Sequence, residues 1–257
     1  GADTNASLRN RGNRLTGTGS MTGLRLVNET NGVIEGSYSL HAERGIANGG
    51  VLRAGDGDTL RLQHGAVTNT YSGEDGRIEA DGGTVCLWGA DITGGLLSAT
   101  NSGVIDCTLT GSALRDAQVT VHPGGSAVLG ADLAVSNTLF RTEGSGRVSL
   151  FFDSPDVTFQ DVSLDEDSTM VMDPSSDVTV SGSLTVRGTL EASSDVLSQR
   201  PMIHLDGAVG LSGGGSVRFA GDQGGRIVGA GAGCVLTNED VLITGNGSMA
   251  GVQLVNR

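Results

Sequence analysis

The sequence predicts an all-β fold, a right-handed parallel β-helix in which coils of about 20 residues stack into a solenoid. Three observations predict it: short runs of alternating aliphatic residues, a loose repeat of coil length, and a glycine-rich composition. Glycine supplies 43 of the 257 residues, whereas aromatic residues make up only 3%. Apolar residues at helical spacing are not sustained over three turns anywhere in the chain. We therefore expect short strands and tight turns throughout, with almost no helix.

Short strands are predicted wherever every second residue is aliphatic. The pattern occurs at 59–62, 84–88, 118–121 and 178–180, so that one side of each run is buried and the other faces outward. Glycine, asparagine, aspartate and serine separate the runs, and these residues favour tight turns. A narrow core of stacked aliphatic side chains needs few rings, which agrees with the composition.

Coil length follows from aligning these runs. Leu52, Ile78 and Leu97 occupy equivalent positions, with spacings of 26 and 19 residues. A period near 20 with variable turns is typical of a solenoid coil. A single coil cannot bury its own apolar stripe, so the next coil must stack on it at about 4.8 Å. We expect residues 1–257 to form one continuous rod of about 12 coils.

A second, much longer repeat joins the two ends of the chain. Residues 15–29 recur at 243–257, nine of 15 positions are identical, and the offset is 228 throughout. The sequence therefore predicts equivalent coils at 8–29 and 236–257. Either any two coils of this composition look alike, or the chain is a unit of a tandem array or of a polymer that stacks head to tail. The end-coil residues expected to support assembly are Met21, Leu26, Val27, Met249, Leu254 and Val255.

Charge limits the partners that the chain can take. The formal net charge is −13 at pH 7, which disfavours nucleic acid and anionic membrane surfaces as partners. A membrane-spanning apolar run is not evident in the sequence. The first residue is Gly1, and the sequence leaves open an expression fragment and a mature unit of a secreted precursor.

Three segments carry a resemblance to a known class of proteins. They read LTGTGSMTGLRLVNETNGVIEG at 15–36, IANGGVLRAGDGDTLRL at 46–62 and DGRIEADGGTVCLWGADITGG at 75–95. This pattern resembles the repetitive exoproteins of bacteria, namely autotransporter passengers and filamentous-haemagglutinin-like adhesins. It covers the first 135 residues and the last 25, and it is fainter over 154–194. The resemblance implies a secreted or cell-surface β-helix used in adhesion or scaffolding, with host or matrix glycans or proteins as further partners.

Several aromatic and cysteine residues are placed by strand parity. Alternation turns Trp88 and Cys86 outward, and it turns Ile105, Cys107 and Leu109 inward. Cys86 and Cys107 then lie on opposite sides of the wall, so we expect no disulfide between them. Parity cannot bury both members of the Phe151–Phe152 pair. Candidate partner contacts are therefore Trp88, Phe151 and Phe152.

Carboxylates offer two further interpretations. The segment 153–177 is rich in aspartate, which favours a solvated acidic face over a Ca²⁺ site, because neither an EF-hand spacing nor the calcium-binding nonapeptide repeat is present. Enzymes that cleave polysaccharides pair two carboxylates. Asp81 with Asp106, or Asp161 with Asp177, could form such a pair on neighbouring coils.

The sequence favours a structural role over catalysis. We expect a repeat module of a secreted or cell-surface fibre or adhesin, which joins other copies or adjacent repeats head to tail and needs no cofactor. The alternative is a β-helical enzyme acting on polysaccharide, or a tailspike-like glycan binder. A site, rather than the fold, would have to carry that alternative.

Overall fold

The computed structural model describes residues 6–109, 111–130, 132–151 and 157–257. It is an all-β parallel solenoid of about 11 turns of about 22 residues, with 2% helix. The predicted parallel β-helix is therefore confirmed, with turns slightly longer and fewer than expected. The right-handed winding stays a prediction.

The strands are short and follow one another through tight turns. The first third of the chain contains β1 (Ser7–Asn10), β2 (Arg14–Met21), β3 (Arg25–Asn28), β4 (Val33–His41), β5 (Ile46–Asn48), β6 (Val51–Ala54), β7 (Thr59–Thr68), β8 (Thr70–Tyr71), β9 (Glu74–Asp75) and β10 (Arg77–Asp81). The middle third contains β11 (Thr84–Thr93), β12 (Leu96–Thr100), β13 (Val104–Cys107), β14 (Ala113–Arg115), β15 (Gln118–Val121), β16 (Ser126–Leu129), β17 (Ala134–Ser136), β18 (Leu139–Thr142), β19 (Arg147–Leu150) and β20 (Val157–Leu164). The last third contains β21 (Thr169–Met172), β22 (Asp177–Val186), β23 (Thr189–Ser193), β24 (Met202–Ser212), β25 (Ser216–Ala220), β26 (Gly225–Gly229), β27 (Val235–Asn238), β28 (Leu242–Gly245), β29 (Gly247–Ala250) and β30 (Gln253–Asn256). Two 3₁₀ turns lie at Ala42–Arg44 and Leu197–Gln199.

Parallel pairing sorts the strands into three faces of the rod. Face A runs from β1 through β3, β5, the ends of β7 and β11, β14, β17 and the starts of β20, β22 and β24 to β26 and β29. Face B runs from the start of β2 through the start of β4, β6, β10, β12, β15, β18 and the ends of β20, β22 and β24 to β27 and β30. Face C runs from the ends of β2 and β4 through the starts of β7 and β11 and through β13, β16, β19, β21, β23 and β25 to β28. The chain visits A, B and C in that order in each turn.

The core is one column of side chains along the axis. Leu52 pairs with Ile78, and Ile78 pairs with Leu97, so the alignment predicted from the sequence is the observed register. All three side chains are fully buried. They belong to a single apolar cluster that extends from Leu26 to Val241. Each turn thus covers the aliphatic stripe of the turn before it, which removes apolar surface from water along the whole rod.

Two stacked glycines mark the corner between faces B and C in the first two turns. Gly17 lies in register with Gly36, and their φ angles are +133° and +128°. A Cβ on Gly36 would contact the carbonyl oxygen of Gly17, so only glycine allows this close approach and this backbone. The corner therefore depends on glycine for both conformation and space.

Asparagine side chains form a ladder inside the rod, along the corner where face A ends. Asn10 donates from Nδ2 to Oδ1 of Asn28, Asn28 donates to Asn48, and Asn48 donates to Asn69, at 2.8, 2.8 and 2.7 Å. All four side chains are buried. Buried amides require hydrogen-bond partners, so each turn supplies the partner that its neighbour needs. The ladder links register to satisfaction of polar groups.

Two parity predictions fail at particular residues. Leu109 was expected to point inward but is 38% exposed, because β13 ends at Cys107 and the chain bends before Leu109. Cys86 was expected to be exposed but is buried. It lies in register with Arg61 and Asp106 on the two neighbouring coils, and these residues cover its outer side. Alternation alone does not report what neighbouring coils cover.

The phenylalanines divide as parity requires. Phe140 and Phe159 lie in the core with ring centroids 6.3 Å apart. Phe151 is 49% exposed. Phe152 lies outside the described residues. One of the two neighbouring phenylalanines is therefore on the surface.

Removing one rung of the asparagine ladder should destabilise the rod. We expect Asn28→Ala to lower the free energy of unfolding by about 2–4 kcal/mol, since Asn10 and Asn48 would lose buried partners. Asn31→Ala is the matched control, because Asn31 is exposed, and it should cost less than about 0.5 kcal/mol. Urea unfolding measures both, and equal losses would contradict a stabilising ladder.

The two phenylalanine environments predict different mutational costs. Phe140→Ala should destabilise by about 3–5 kcal/mol, because it leaves a cavity in the axial core. Phe151→Ala should change stability by less than about 0.5 kcal/mol. Thermal unfolding of the two variants compares them directly, and a large loss for Phe151→Ala would show that this ring packs against the rod.

Candidate functional site

The C-terminal end of the rod exposes an unpaired edge, which we call the C-terminal edge and define as β28, β29 and β30. Among the described residues, these strands pair on one side only, with β25, β26 and β27. Leu242, Met249 and Leu254 are 62%, 41% and 44% exposed. An open parallel edge with apolar side chains favours the addition of another strand.

The six residues expected to act at the ends differ in exposure. Met249 and Leu254 are exposed, whereas Val255 and Met21 are half-buried. Leu26 and Val27 are 2% and 8% exposed, because β5 stacks on β3. The N-terminal members thus already lie within the rod, while Met249 and Leu254 remain available.

The two sequence-related segments have the same internal register. Ser7 to Asn10 pair with Arg25 to Asn28, and Val235 to Asn238 pair with Gln253 to Asn256. They lie on different faces, however, since β1 and β3 belong to face A and β27 and β30 belong to face B. An offset of 228 residues therefore spans a whole number of turns plus one face.

Asparagines at the C-terminal edge repeat the geometry of the ladder. Asn238 donates from Nδ2 to Oδ1 of Asn256 at 3.5 Å, as Asn10 does to Asn28. Asn28 passes the ladder on to Asn48, whereas Asn256 is exposed at the end of the rod. At the other end, Oδ1 of Asn10 is buried and has no hydrogen-bond partner.

A row of rings follows the corner where face C meets face A, and we call it the ring row. The ring centroids of His41 and His64 are 6.3 Å apart, and those of His64 and Trp88 are 5.3 Å apart. Trp88 is 41% exposed, as parity predicted. Phe151 follows β19 on the same face, three coils further along. Trp88 and Phe151 are therefore about 14 Å apart along the axis at 4.8 Å per coil.

One hairpin interrupts the coils, and the sequence did not predict it. β8 and β9 pair antiparallel, with Tyr71 opposite Glu74. Beside it lies an open groove of about 770 Å³ that includes Asp75, Arg77 and Asp116. The only sequence signal is Ser72-Gly73 between the two short strands, and such a turn also occurs at ordinary coil corners.

The acidic segment is dispersed over several coils. Asp165 lies within 4.0 Å of Arg141 and 3.7 Å of Arg187, and Asp173 lies 3.0 Å from Arg147. Among the described residues, we find no group of three or more histidine, cysteine, aspartate or glutamate side chains that could hold a metal ion. Asp153 and Asp156 lie outside the described residues.

Register does not bring either carboxylate pair together. Asp81 accepts a hydrogen bond from Asn101 at the end of a face B strand, whereas Asp106 lies on face C opposite Cys86. Asp161 accepts hydrogen bonds from Ser183, while Asp177 lies opposite Met202 at the other end of its strand segment. These residues therefore serve turns and strand ends in the structure.

All three cysteines are free and buried. Burial raises the pKa of the Cys107 thiol well above its ordinary value, and the charge of Asp106 adds to the effect. Burial and Asp106 also raise the pKa of Cys86, although Arg61 opposes them. Such thiols stay protonated at neutral pH, which disfavours a nucleophilic role.

Comparisons with protein-family models, curated proteins and solved structures find no match to this chain. Within the part of the chain that the structure describes, no helix has the length and apolar character needed to cross a membrane. The geometry of the chain itself must therefore carry the functional argument.

The raised pKa of Cys107 predicts a loss of stability in alkali. Its thiolate forms near pH 9.0 in the unfolded chain but at higher pH in the folded one, so stability falls as pH rises above that value. Cys107→Ala should remove this contribution and flatten the decline between about pH 8.5 and 10.5. Urea midpoints across that range test it, and identical slopes in both proteins would contradict it.

Proposed function

We propose that this chain is a structural rod module of a secreted or cell-surface fibre or adhesin, in which units join end to end. Its resemblance to repetitive bacterial exoproteins supports this role, and so does the solenoid architecture. Backbone hydrogen bonds along the axis make such a rod stiff, and its net negative charge keeps the flanks hydrated. The proposal places the chain outside the cell and assigns it no catalytic step.

The open C-terminal edge is the observation that carries the proposal. Elsewhere in the rod each strand is covered by the next coil, but Leu242, Met249 and Leu254 remain uncovered. A solenoid normally needs a polar cap at its ends to stay monomeric. Exposed leucines on unpaired strands favour association with another rod end.

End-to-end association should depend on the exposed leucine of β30. We expect Leu254→Arg to abolish concentration-dependent elongation, because it places an unpaired charge in the contact. Sedimentation velocity and negative-stain microscopy of the whole chain measure particle length.

Leu197→Arg provides the matched control. Leu197 is 66% exposed but lies in a 3₁₀ turn on the side of the rod. Elongation should be unchanged in that variant. Short monodisperse particles of the parent protein under all conditions would contradict end-to-end joining.

A second candidate function, binding of host or matrix glycans, is favoured by the ring row. Trp88 and Phe151 expose rings on one corner, and an extended saccharide lying parallel to the axis could contact both. Exposed aromatic rings serve as anchors in many binding surfaces. This candidate is compatible with a structural rod that also adheres.

Glycan binding can be read from a single fluorophore, because Trp88 is the only tryptophan. A linear oligosaccharide that binds the ring row should shift or quench its emission in a saturable way. Phe151→Ala should weaken the binding, whereas Phe219→Tyr, a change in the buried core, is a control that leaves the surface unchanged. Unaltered emission across acidic and neutral oligosaccharides would exclude this role for the ring row.

A further inference from the structure

The interior of the rod shows which segment covers a coil of the C-terminal type. Residues 14–21 and 25–28 correspond, at the offset of 228, to 242–249 and 253–256. In the rod, β4 stacks on β2 and β5 stacks on β3. The segment from β4 to β5 is therefore the natural cover of this coil type.

Exposure changes as this correspondence requires. Leu26 lies beneath Ile46 and is 2% exposed, whereas its counterpart Leu254 is 44% exposed. Asn28 is fully buried and donates to Asn48, whereas its counterpart Asn256 is exposed at the end of its own short ladder. The C-terminal edge thus has the side chains of a covered coil without the cover.

We propose that the C-terminal edge is the docking surface for the β4–β5 segment of a following unit of this same sequence. The inference rests on the proposed function, and it names the partner and the register. Ile34, Leu40 and Ile46 of the following unit would cover Ile243, Met249 and Leu254. Nδ2 of Asn256 would donate to Oδ1 of Asn48 in that unit, so that the ladder continues across the junction.

The faces make this junction rotate. The covered strand β3 belongs to face A, but its counterpart β30 belongs to face B. Face A of the following unit therefore continues face B of the unit before it. The ring row and the hairpin would appear on each corner of the fibre in turn and return to the first corner after three units. Such a fibre presents its lateral surface features in every direction.

Two extended chains test the register. In the in-phase chain, Arg257 is followed directly by residues 30–257 of a second copy, so β4 and β5 meet the C-terminal edge. In the control chain, Arg257 is followed by residues 51–257, so that coils of the same general type follow without that segment. The unextended chain provides the reference for the exposed edge.

Hydrogen exchange at Gln253–Asn256 is the main readout. We expect at least about tenfold slower exchange in the in-phase chain than in the unextended chain, because these amides and carbonyls enter a continuous sheet. The control chain should stay close to the unextended one. Equal protection in both extended chains, or protection in neither, would overturn the proposal.

The amide ladder gives a second readout. Asn256→Ala should lower the urea midpoint of the junction in the in-phase chain, because Asn48 of the second unit would lose its donor. The same substitution should leave the unextended chain unchanged. Loss of stability in neither chain, or in both equally, would contradict the ladder across the junction.

The two proposals can fail separately. If the unextended chain never elongates but the in-phase chain shows a protected junction, end-to-end joining of separate rods is wrong and the register is right. If the unextended chain elongates but the in-phase junction exchanges freely, the rods join in another register. Small-angle scattering adds the shape, since a continuous straight rod is expected only in phase.

Discussion

Stacking of one coil on the next is the interaction on which the whole molecule depends. A single turn of about 22 residues is too small to bury its own aliphatic stripe or to pair its own strand edges. Its neighbours supply both, and at the corner of face A they also supply the amide partners of Asn28 and Asn48. Apolar burial and polar satisfaction therefore select the same register.

The same dependence makes the ends of the rod chemically different from its middle. Where a neighbour is present, Leu26 is almost fully buried; where it is absent, Leu254 is exposed. The proposed function follows from this difference, because an uncovered coil is stabilised by any surface that restores the missing neighbour. A solenoid can therefore carry an assembly signal in its general coil chemistry, without a dedicated binding site.

Local pattern was a good guide to the wall of the solenoid and a poor guide to its corners. The alignment of Leu52, Ile78 and Leu97 predicted the observed register, because inward aliphatic positions must coincide on successive coils. It failed at Leu109, which lies past the end of its strand, and at Cys86, which residues of neighbouring coils cover. The β8–β9 hairpin and the ring row escaped prediction because both arise from contacts between distant residues.

By itself, the sequence determined the fold class, the strand pattern and the 228-residue correspondence between the ends, because periodicity and glycine-rich turns are local properties of the chain. Only the tertiary structure decided that the corresponding segments lie on different faces. The reason is physical: the turns vary in length, so the number of residues between two coils does not report the angle between them. Pairing of strands alone establishes that angle, and with it the direction in which each surface feature points.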